Sequence, residues 1–230
     1  MMDKKQQCAK KAMDYIKDGM VIGLGGGSTI KHLIGYIARS DKEVKIITPS
    51  FETRQHCIEA GLRVLSTSDV GEVSVAFDGC DQVDEQFHAL KSGGGIHTEE
   101  KLIASMANDY ILLVDDSKYV STLTYDHPVV LEVLPQALAF VKRQLESFTT
   151  LGGALRMSKD KDGAVLTENG NYLIDVRFPP QENSRELEQS LKGLTGVVEV
   201  SLLTTVVSKV LVATDNGVRE VASRRDRGIV

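Results

Sequence analysis

The chain has 230 residues, of which 42% are hydrophobic, and a formal net charge of −5; this suits one large or two small domains and argues against a nucleic-acid-binding surface. Its three cysteines, Cys8, Cys57 and Cys80, show no CxxC spacing, which argues against a disulfide framework or a zinc site and favours reduced thiols in a cytoplasmic protein. No apolar run approaches the roughly 18 residues of a membrane span, and the Lys-rich N-terminus lacks a signal-peptide core.

The first third of the chain alternates short apolar runs with amphipathic segments. A helix is predicted over 3–18, with Gly19 as its C-terminal cap. Strands are predicted at 20–24, 44–48, 62–65 and 73–77. A further helix is predicted at 50–60, ended by Gly61. This alternation is typical of a parallel sheet with helices on both faces.

A glycine-rich turn, Gly23–Thr29, joins the first strand to an amphipathic helix that Ser28 or Thr29 is expected to cap. Free amides at a helix N-terminus, with hydroxyls beside them, bind phosphate well. The turn is neither a dinucleotide fingerprint, because Ser28 occupies the third glycine position, nor a Walker loop, because no lysine follows. It is therefore either a phosphate-binding loop or a ligand-free turn of the kind common in α/β folds.

Residues 78–101 combine acidic groups, lysines and a run of glycines. Asp78 directly follows an apolar strand, and Glu99 and Glu100 fall in the first turn of a helix that Thr98 is expected to cap. Acidic groups at a strand end, a glycine loop and charges at a helix start indicate a site for a small polar substrate. The alternatives are a solvated loop and glutamates that only complement the helix dipole.

A further strand over 110–114 ends at Asp115, Asp116, Ser117 and Lys118. Ligands of parallel sheets gather beyond the carboxyl ends of the strands. The turn at 23–29, Asp78 and Lys118 are therefore expected on one rim, although they are far apart in sequence.

From about residue 128 the pattern changes to β-α-β-β-α-β, the ferredoxin-like split motif. The four strands of this motif are predicted at 129–133, near 154–157, near 172–178 and at 197–202, and its helices start at Pro135 and carry Leu187, Leu191 and Leu194. An additional short strand at 165–167 is an option beside the Asp-Gly turn. We therefore predict an α/β protein with two parts. A Rossmann-like parallel-sheet domain comprises 1–127 plus 203–230, and a smaller ferredoxin-like α+β lobe comprises 128–202. Strands at 209–213 and 218–222 return to the first domain, and 223–230 is expected to be a solvated or interface segment.

Three segments together resemble ribose-5-phosphate isomerase of type A: Gly25–Thr29, Asp78–Asp84, and Lys91 with its glycines followed by Glu100 and Lys101. The resemblance continues through Asp116–Lys118 and the second lobe. It implies interconversion of D-ribose 5-phosphate and D-ribulose 5-phosphate in the non-oxidative pentose phosphate pathway, without metal or cofactor. It also implies a homodimer or homotetramer.

The resemblance implies a role for each charged group. Glu100 would be the base that moves a proton through an enediolate, Lys91 would stabilise the oxyanion, and Asp81 and Asp78 would move hydroxyl protons and open the sugar ring. Substrate contacts are expected from Gly26, Gly27, Ser28, Thr29, Gly79, Cys80, Ser92, Gly93, Gly94 and Lys118.

Four positions depart from the family pattern: Gly26 replaces a usual Thr, Cys80 an Ala, Gln82 a Glu and Ser92 a Gly. These departures bear on substrate affinity more than on the type of reaction. Two other functions fit the same kind of scaffold: another sugar-phosphate enzyme, such as a deaminase or a lactonase, and a non-catalytic sugar-phosphate sensor.

Several ionisable residues near the site are expected to have no catalytic role. Glu99 is assigned to solvent, Cys80 is disfavoured as a nucleophile, and the histidines have no ligand spacing that would favour a metal site. Asp84 and Glu85 are interpreted as turn residues, and His97 as an exposed or loop-packing residue.

Overall fold

A computed structural model describes residues 3–149 and 151–223. The first part contains, in chain order, α1 (Lys4–Ala12), β1 (Val21–Leu24), α2 (Ser28–Ala38), β2 (Lys45–Ile47), α3 (Phe51–Glu59), β3 (Arg63–Val64), β4 (Val75–Asp78), β5 (Gln82–Asp84), β6 (Ala89–Leu90), α4 (His97–Met106), β7 (Tyr110–Asp115) and β8 (Tyr119–Val120). The second part contains β9 (Val129–Val133), α5 (Leu138–Leu145), β10 (Gly153–Leu155), β11 (Tyr172–Val176), α6 (Ser184–Lys192), β12 (Val197–Val200), β13 (Leu202–Leu203), β14 (Lys209–Thr214) and β15 (Gly217–Ala222). No helix in these ranges is long and apolar enough to cross a membrane.

The largest sheet has seven strands in the order β15-β14-β7-β4-β1-β2-β3. All neighbours are parallel except β14 and β15. Helices α1 and α2 pack on one face of this sheet, and α4 packs on the other through Ile103 and Ala104. The predicted α/β fold with a central parallel sheet is confirmed. Its parallel strands bring Leu24, Asp78 and Asp115 to the same rim.

A second sheet has the order β10-β11-β9-β12, and its core is formed with α5 and α6. The element order from β9 to β12 is the predicted β-α-β-β-α-β. A division into domains at 127/128 and 202/203 stays a prediction, and it includes residues 1–2, 150 and 224–230, which lie outside the described ranges. The predicted solvated or interface tail at 223–230 lies outside them except for Ser223.

A third sheet, β13-β6-β5-β8, was not predicted. Two of its strands lie inside the charged stretch that the sequence suggested was loop. Val83, Ala89 and Leu90 are fully buried, but these apolar positions come in runs too short to give a periodic signal. The strand predicted over 197–202 is divided, because β12 pairs with β9 whereas β13 pairs with β6.

Three predicted helix ends are wrong. Helix α1 stops at Ala12 and continues as a 3₁₀ turn to Tyr15, and Gly19, at φ +76°, instead belongs to the connection into β1. The cap of α2 is Gly27, at φ +94°, a backbone conformation that serine and threonine rarely adopt. The cap of α4 is Ile96, and the hydroxyl of Thr98 donates to Glu132 instead.

Helix α4 is anchored to the second sheet by a buried ion cluster. The ammonium of Lys101 contacts Glu188 and lies 2.9 Å from Glu199 Oε1. It also donates to the carbonyl oxygen of Leu202 at 3.1 Å. Lys101 is 8% exposed, so these carboxylates offset the cost of burying its charge. Because Glu100 precedes Lys101, the cluster fixes the start of α4 where the candidate site lies.

Replacing Lys101 with methionine should destabilise the fold by about 3 kcal/mol, since it removes the buried ammonium that the carboxylates of Glu188 and Glu199 share. Urea unfolding followed by circular dichroism measures the loss. Lys192→Met is the matched control, because Lys192 contacts the same Glu199 but its side chain is 51% exposed; its loss should stay within about 1 kcal/mol. Equal losses in the two variants would contradict the assigned role of Lys101.

Candidate active site

Three of the predicted catalytic residues meet at the rim of the large sheet. Asp78 ends β4, Lys91 follows β6, and Glu100 lies in the first turn of α4. The Lys91 ammonium lies 3.0 Å from Asp78 Oδ2 and 3.2 Å from Glu100 Oε1, and it donates to the carbonyl oxygen of Gly79 at 2.5 Å. All three charged side chains are buried. The arrangement places one cation between two carboxylates in a place of low water access.

Burial, and after it the negative charge of Asp78, raise the pKa of Glu100 to about 8 against the opposing effect of Lys91. For Lys91, burial alone would lower the pKa, but the carboxylates of Asp78 and Glu100 outweigh burial and raise it. Lys91 therefore stays protonated at neutral pH, whereas Glu100 can both accept and release a proton near neutrality. This is the behaviour required of a general base that must return its proton.

Asp81, the fourth predicted catalytic residue, is held by the glycine loop. Its Oδ2 accepts the backbone N–H of Ser92 at 2.6 Å. The Ser92 hydroxyl donates to the carbonyl oxygen of Pro128 at 2.5 Å, and Arg156 donates to the carbonyl oxygen of Ser92 at 2.8 Å while pairing with Asp175. Ser92, which departs from the family pattern, is therefore held in the loop by a hydrogen bond from its own hydroxyl. The loop that follows Lys91 rests on strands of the second sheet.

The glycine turn after β1 lies directly against Asp78. A side chain at Gly25 would overlap the Asp78 carboxylate, so this position must remain glycine for the two segments to touch. At Gly26 an added carbon would meet Ser50 only at 3.5 Å. This is an ordinary contact, so the first carbon of a side chain fits at Gly26, in contrast to Gly25.

The predicted phosphate contacts lie at the same rim. Ser28 and Thr29 form the first turn of α2, where backbone N–H groups lack helical partners. Thr29, Lys5 and Lys118 line one small cavity of about 30 Å³, and Lys118 also donates to the carbonyl oxygen of Cys80 at 2.8 Å. A helix N-terminus with two ammonium groups is a suitable place for a phosphate.

A second small cavity, of about 10 Å³, is lined by Gly25, Asp78, Glu100 and Tyr110. A much larger cavity, of about 980 Å³, lies elsewhere, along Thr98, Glu99 and Leu102 of α4 and the segment 64–68. We locate the candidate site at the small cavities, because the convergent charges lie there. Among the described residues, no group of three or more His, Cys, Asp or Glu side chains could hold a metal ion.

The neighbouring ionisable residues have other surroundings. Asp84 is buried and accepts the N–H groups of Gln86 and His88, each at 2.9 Å, as suits a turn residue. His97 is fully buried with Nε2 3.3 Å from the carbonyl oxygen of Glu199, so the expectation of an exposed side chain is wrong and that of packing is right.

Burial raises the pKa of the Cys80 thiol to about 12, which disfavours a nucleophilic role. Glu99 is half-buried, and burial raises its pKa.

Two residues at the site were missed. Tyr110 donates its hydroxyl to Asp78 Oδ2 at 3.0 Å, and Arg156 binds the loop at Ser92. The hydroxyl of Tyr110 at the head of an otherwise apolar strand was a weak signal for a polar partner. For Arg156 the sequence held no signal, because its partner lies 64 positions away.

Comparison with known proteins identifies the family. The model of the family ribose 5-phosphate isomerase A (phosphoriboisomerase A) matches residues 45–217. The ribose-5-phosphate isomerase A of Thermococcus kodakarensis is 37% identical over 220 residues, which cover 94% of this chain and 96% of the relative. The chain belongs to the ribose 5-phosphate isomerase A family. The predicted resemblance is thereby confirmed.

Solved structures of ribose 5-phosphate isomerases share the whole fold. The enzyme of Methanocaldococcus jannaschii superposes with a TM-score of 0.89 at 36% identity, covering 96% of this chain and 99% of the other. A D-ribose-5-phosphate isomerase in complex with phospho-erythronic acid also has a TM-score of 0.89, at 33% identity, covering 96% of this chain and all of the other. The model of the DeoR C-terminal sensor domain matches residues 1–71. That match includes the glycine turn but neither Lys91 nor Glu100.

Proposed function

We propose that this ribose 5-phosphate isomerase interconverts D-ribose 5-phosphate and D-ribulose 5-phosphate with Glu100 as the base. The observation that carries the proposal is the buried contact of Glu100 with the Lys91 ammonium at 3.2 Å. A carboxylate whose pKa is raised to about 8 is a stronger base than an exposed glutamate, and the adjacent cation is available for a developing oxyanion.

The reaction moves two protons. With the sugar ring open, Glu100 takes the proton from C2, and the electrons of the C2–H bond form the C1–C2 double bond of an enediolate. The charge on the C1 oxygen is stabilised by Lys91. Glu100 then returns its proton to C1, while Asp81 transfers the proton of the C2 hydroxyl to the C1 oxygen. Asp78 assists ring opening with Asp81, so no group outside the chain is needed to balance the steps.

The phosphate of the substrate supplies the binding energy that orients C1 and C2. We propose that it binds the first turn of α2 at Gly26, Gly27, Ser28 and Thr29, with Lys118 as its cation, while Gly79, Cys80, Ser92, Gly93 and Gly94 surround the sugar. Interactions with a remote, non-reacting group position the reacting carbons against the base. Phospho-erythronic acid, which a related isomerase binds, is the corresponding probe, since its carboxylate carries charge where the enediolate would.

Incubating the protein with ribose 5-phosphate and following ketose formation tests the proposal. We expect ketose to form. Folded protein that forms no ketose would overturn the proposal, and tight binding of the sugar phosphate without turnover would favour the sensor. The partial match to a sensor domain motivates that second candidate. It is disfavoured because the isomerase match extends over Lys91 and Glu100.

The pH dependence of kcat/KM should have an acid limb with a midpoint near pH 8, because only deprotonated Glu100 accepts a proton and its pKa is about 8. Since the charge of Asp78 helps to raise this pKa, Asp78→Asn should move the midpoint to lower pH, even though the maximum rate also falls. Initial rates measured from pH 5 to 10 with both forms (about 0.5-unit steps) provide the comparison. A midpoint that does not move in the variant would contradict the electrostatic role of Asp78.

We further propose that the protein works in the cytoplasm as a homodimer or homotetramer. Its three cysteines are buried and form no disulfide with one another, which suits a reducing compartment. Exposed apolar side chains on the second lobe, Met157 and Leu166, support that lobe as a contact surface. Light scattering at assay concentration measures the mass, and a monomer there would contradict the proposed assembly.

A further inference from the structure

The hydroxyl of Tyr110 occupies a place in the site that the proposed mechanism leaves unused. Tyr110 begins β7, which lies beside β4 in the large sheet. Its side chain is 2% exposed, and its oxygen lies 3.0 Å from Asp78 Oδ2. Burial raises the pKa of this phenol well above its usual value. The hydroxyl therefore stays protonated and donates a hydrogen bond to the carboxylate of Asp78.

Asp78 receives donors from three directions. Oδ1 accepts the N–H of Gly79 at 2.8 Å, and Oδ2 is shared between Tyr110 and the Lys91 ammonium, each at 3.0 Å. The charged and titratable groups facing this carboxylate are Lys91 from the glycine loop, Glu100 from α4, Cys80 from the segment after β4 and Tyr110 from β7. Of these, Tyr110 alone carries a fixed neutral donor on a strand of the central sheet.

We propose that Tyr110 is a positioning residue, whose hydroxyl holds Asp78 Oδ2 beside Lys91 and weakens the repulsion between the carboxylates of Asp78 and Glu100. The inference rests on the proposed function, since it assigns to Tyr110 control over the base of that reaction. A donor to a charged carboxylate stabilises the ionised form. Without the hydroxyl, the charge on Asp78 repels the charge on Glu100 more strongly. Glu100 then keeps its proton to higher pH, and the acid limb moves to higher pH.

Tyr110→Phe tests this inference, with Tyr125→Phe as the matched control. Tyr125 is also buried and also loses one hydroxyl bond, to Ser184 at 2.7 Å, but it lies in the core under the second sheet. We expect the acid limb of kcat/KM to rise by about one pH unit in Tyr110→Phe and to stay in place in Tyr125→Phe. The substrate phosphate titrates identically in all forms, so it cancels from the comparison.

A second measurement does not depend on the folding of the phenylalanine variant. Uniform replacement of tyrosine by 3-fluorotyrosine makes each phenol a stronger hydrogen-bond donor. In the protein that retains a tyrosine at position 110, the acid limb of kcat/KM should therefore move to lower pH. A limb unmoved by both changes would overturn the role of Tyr110 and leave the isomerase proposal standing. Absence of isomerase activity in the unmodified protein would instead refute the proposed function.

Discussion

Replacing Glu100 with glutamine is expected to lower kcat by about 10²–10⁴-fold, the usual contribution of a general base. Glutamine has nearly the same shape and can still accept a hydrogen bond from Lys91, but its amide cannot take a proton from C2. The loss should fall on kcat and on kcat/KM together, since the interaction exists only in the transition state. Initial rates with ribose 5-phosphate, and calorimetric binding of phospho-erythronic acid, measure the two quantities separately.

Glu99→Gln is the matched control, because it makes the same chemical change one residue earlier in the same helical turn. Glu99 is half-buried and lines the cavity of about 980 Å³ outside the candidate site, so its replacement should leave kcat within about twofold of the original. If Glu100→Gln kept near-normal turnover, or if Glu99→Gln lost as much, the base would have to be assigned elsewhere.

The architecture of the large sheet was predictable because its signals are local. Each buried strand is a short apolar run and each helix has an amphipathic period, so alternation alone indicated a parallel sheet. The rule that strands end on one rim then brought the glycine turn and Asp78 together across the sequence. The overlap that a side chain at Gly25 would make with Asp78 shows how close that approach is.

The catalytic assignment of Glu100 did not follow from pattern alone. A glutamate in the first turn of a helix is fully explained by the helix dipole, and only the family resemblance favoured a base. The structure adds the burial that raises its pKa and the contact with Lys91. Both depend on segments that meet in three dimensions, which charge spacing along one helix does not reveal.

Contacts that support the site from distant strands could not be predicted. Arg156 reaches Ser92 from the second sheet, and Tyr110 reaches Asp78 from the neighbouring strand. Hydrogen bonds of this kind are decided by strand order and register, neither of which is written in the local sequence. The short strands β5 and β6 were missed for a related reason, since the pairing of β6 with β13 and of β5 with β6 and β8 stabilises them more than their own propensity does.

Replacing Lys91 with methionine should lower kcat by about 10²–10³-fold, the effect of losing one oxyanion donor. The change also removes a charge that lowers the pKa of Glu100, so the acid limb should move to higher pH. Rates measured above that limb isolate the loss of enediolate stabilisation, because Glu100 is then deprotonated in both forms. A thermal melt accompanies the assay, since the variant leaves Asp78 and Glu100 buried without this ammonium.

The control for Lys91 is Lys209→Met, which also removes an ammonium paired with a carboxylate, although Lys209 is only partly buried. Lys209 lies 3.0 Å from Asp109 Oδ1, at the start of β14 and therefore at the opposite rim from the site. The Lys209→Met variant should be less stable than the original protein but should keep its kcat. Should Lys91→Met retain kcat within about threefold at high pH, backbone N–H groups of the glycine loop would have to stabilise the enediolate alone. The ammonium between Asp78 and Glu100 would then serve only to keep two carboxylates together, because a buried cation that does not act on the transition state cannot change the rate of the chemical step.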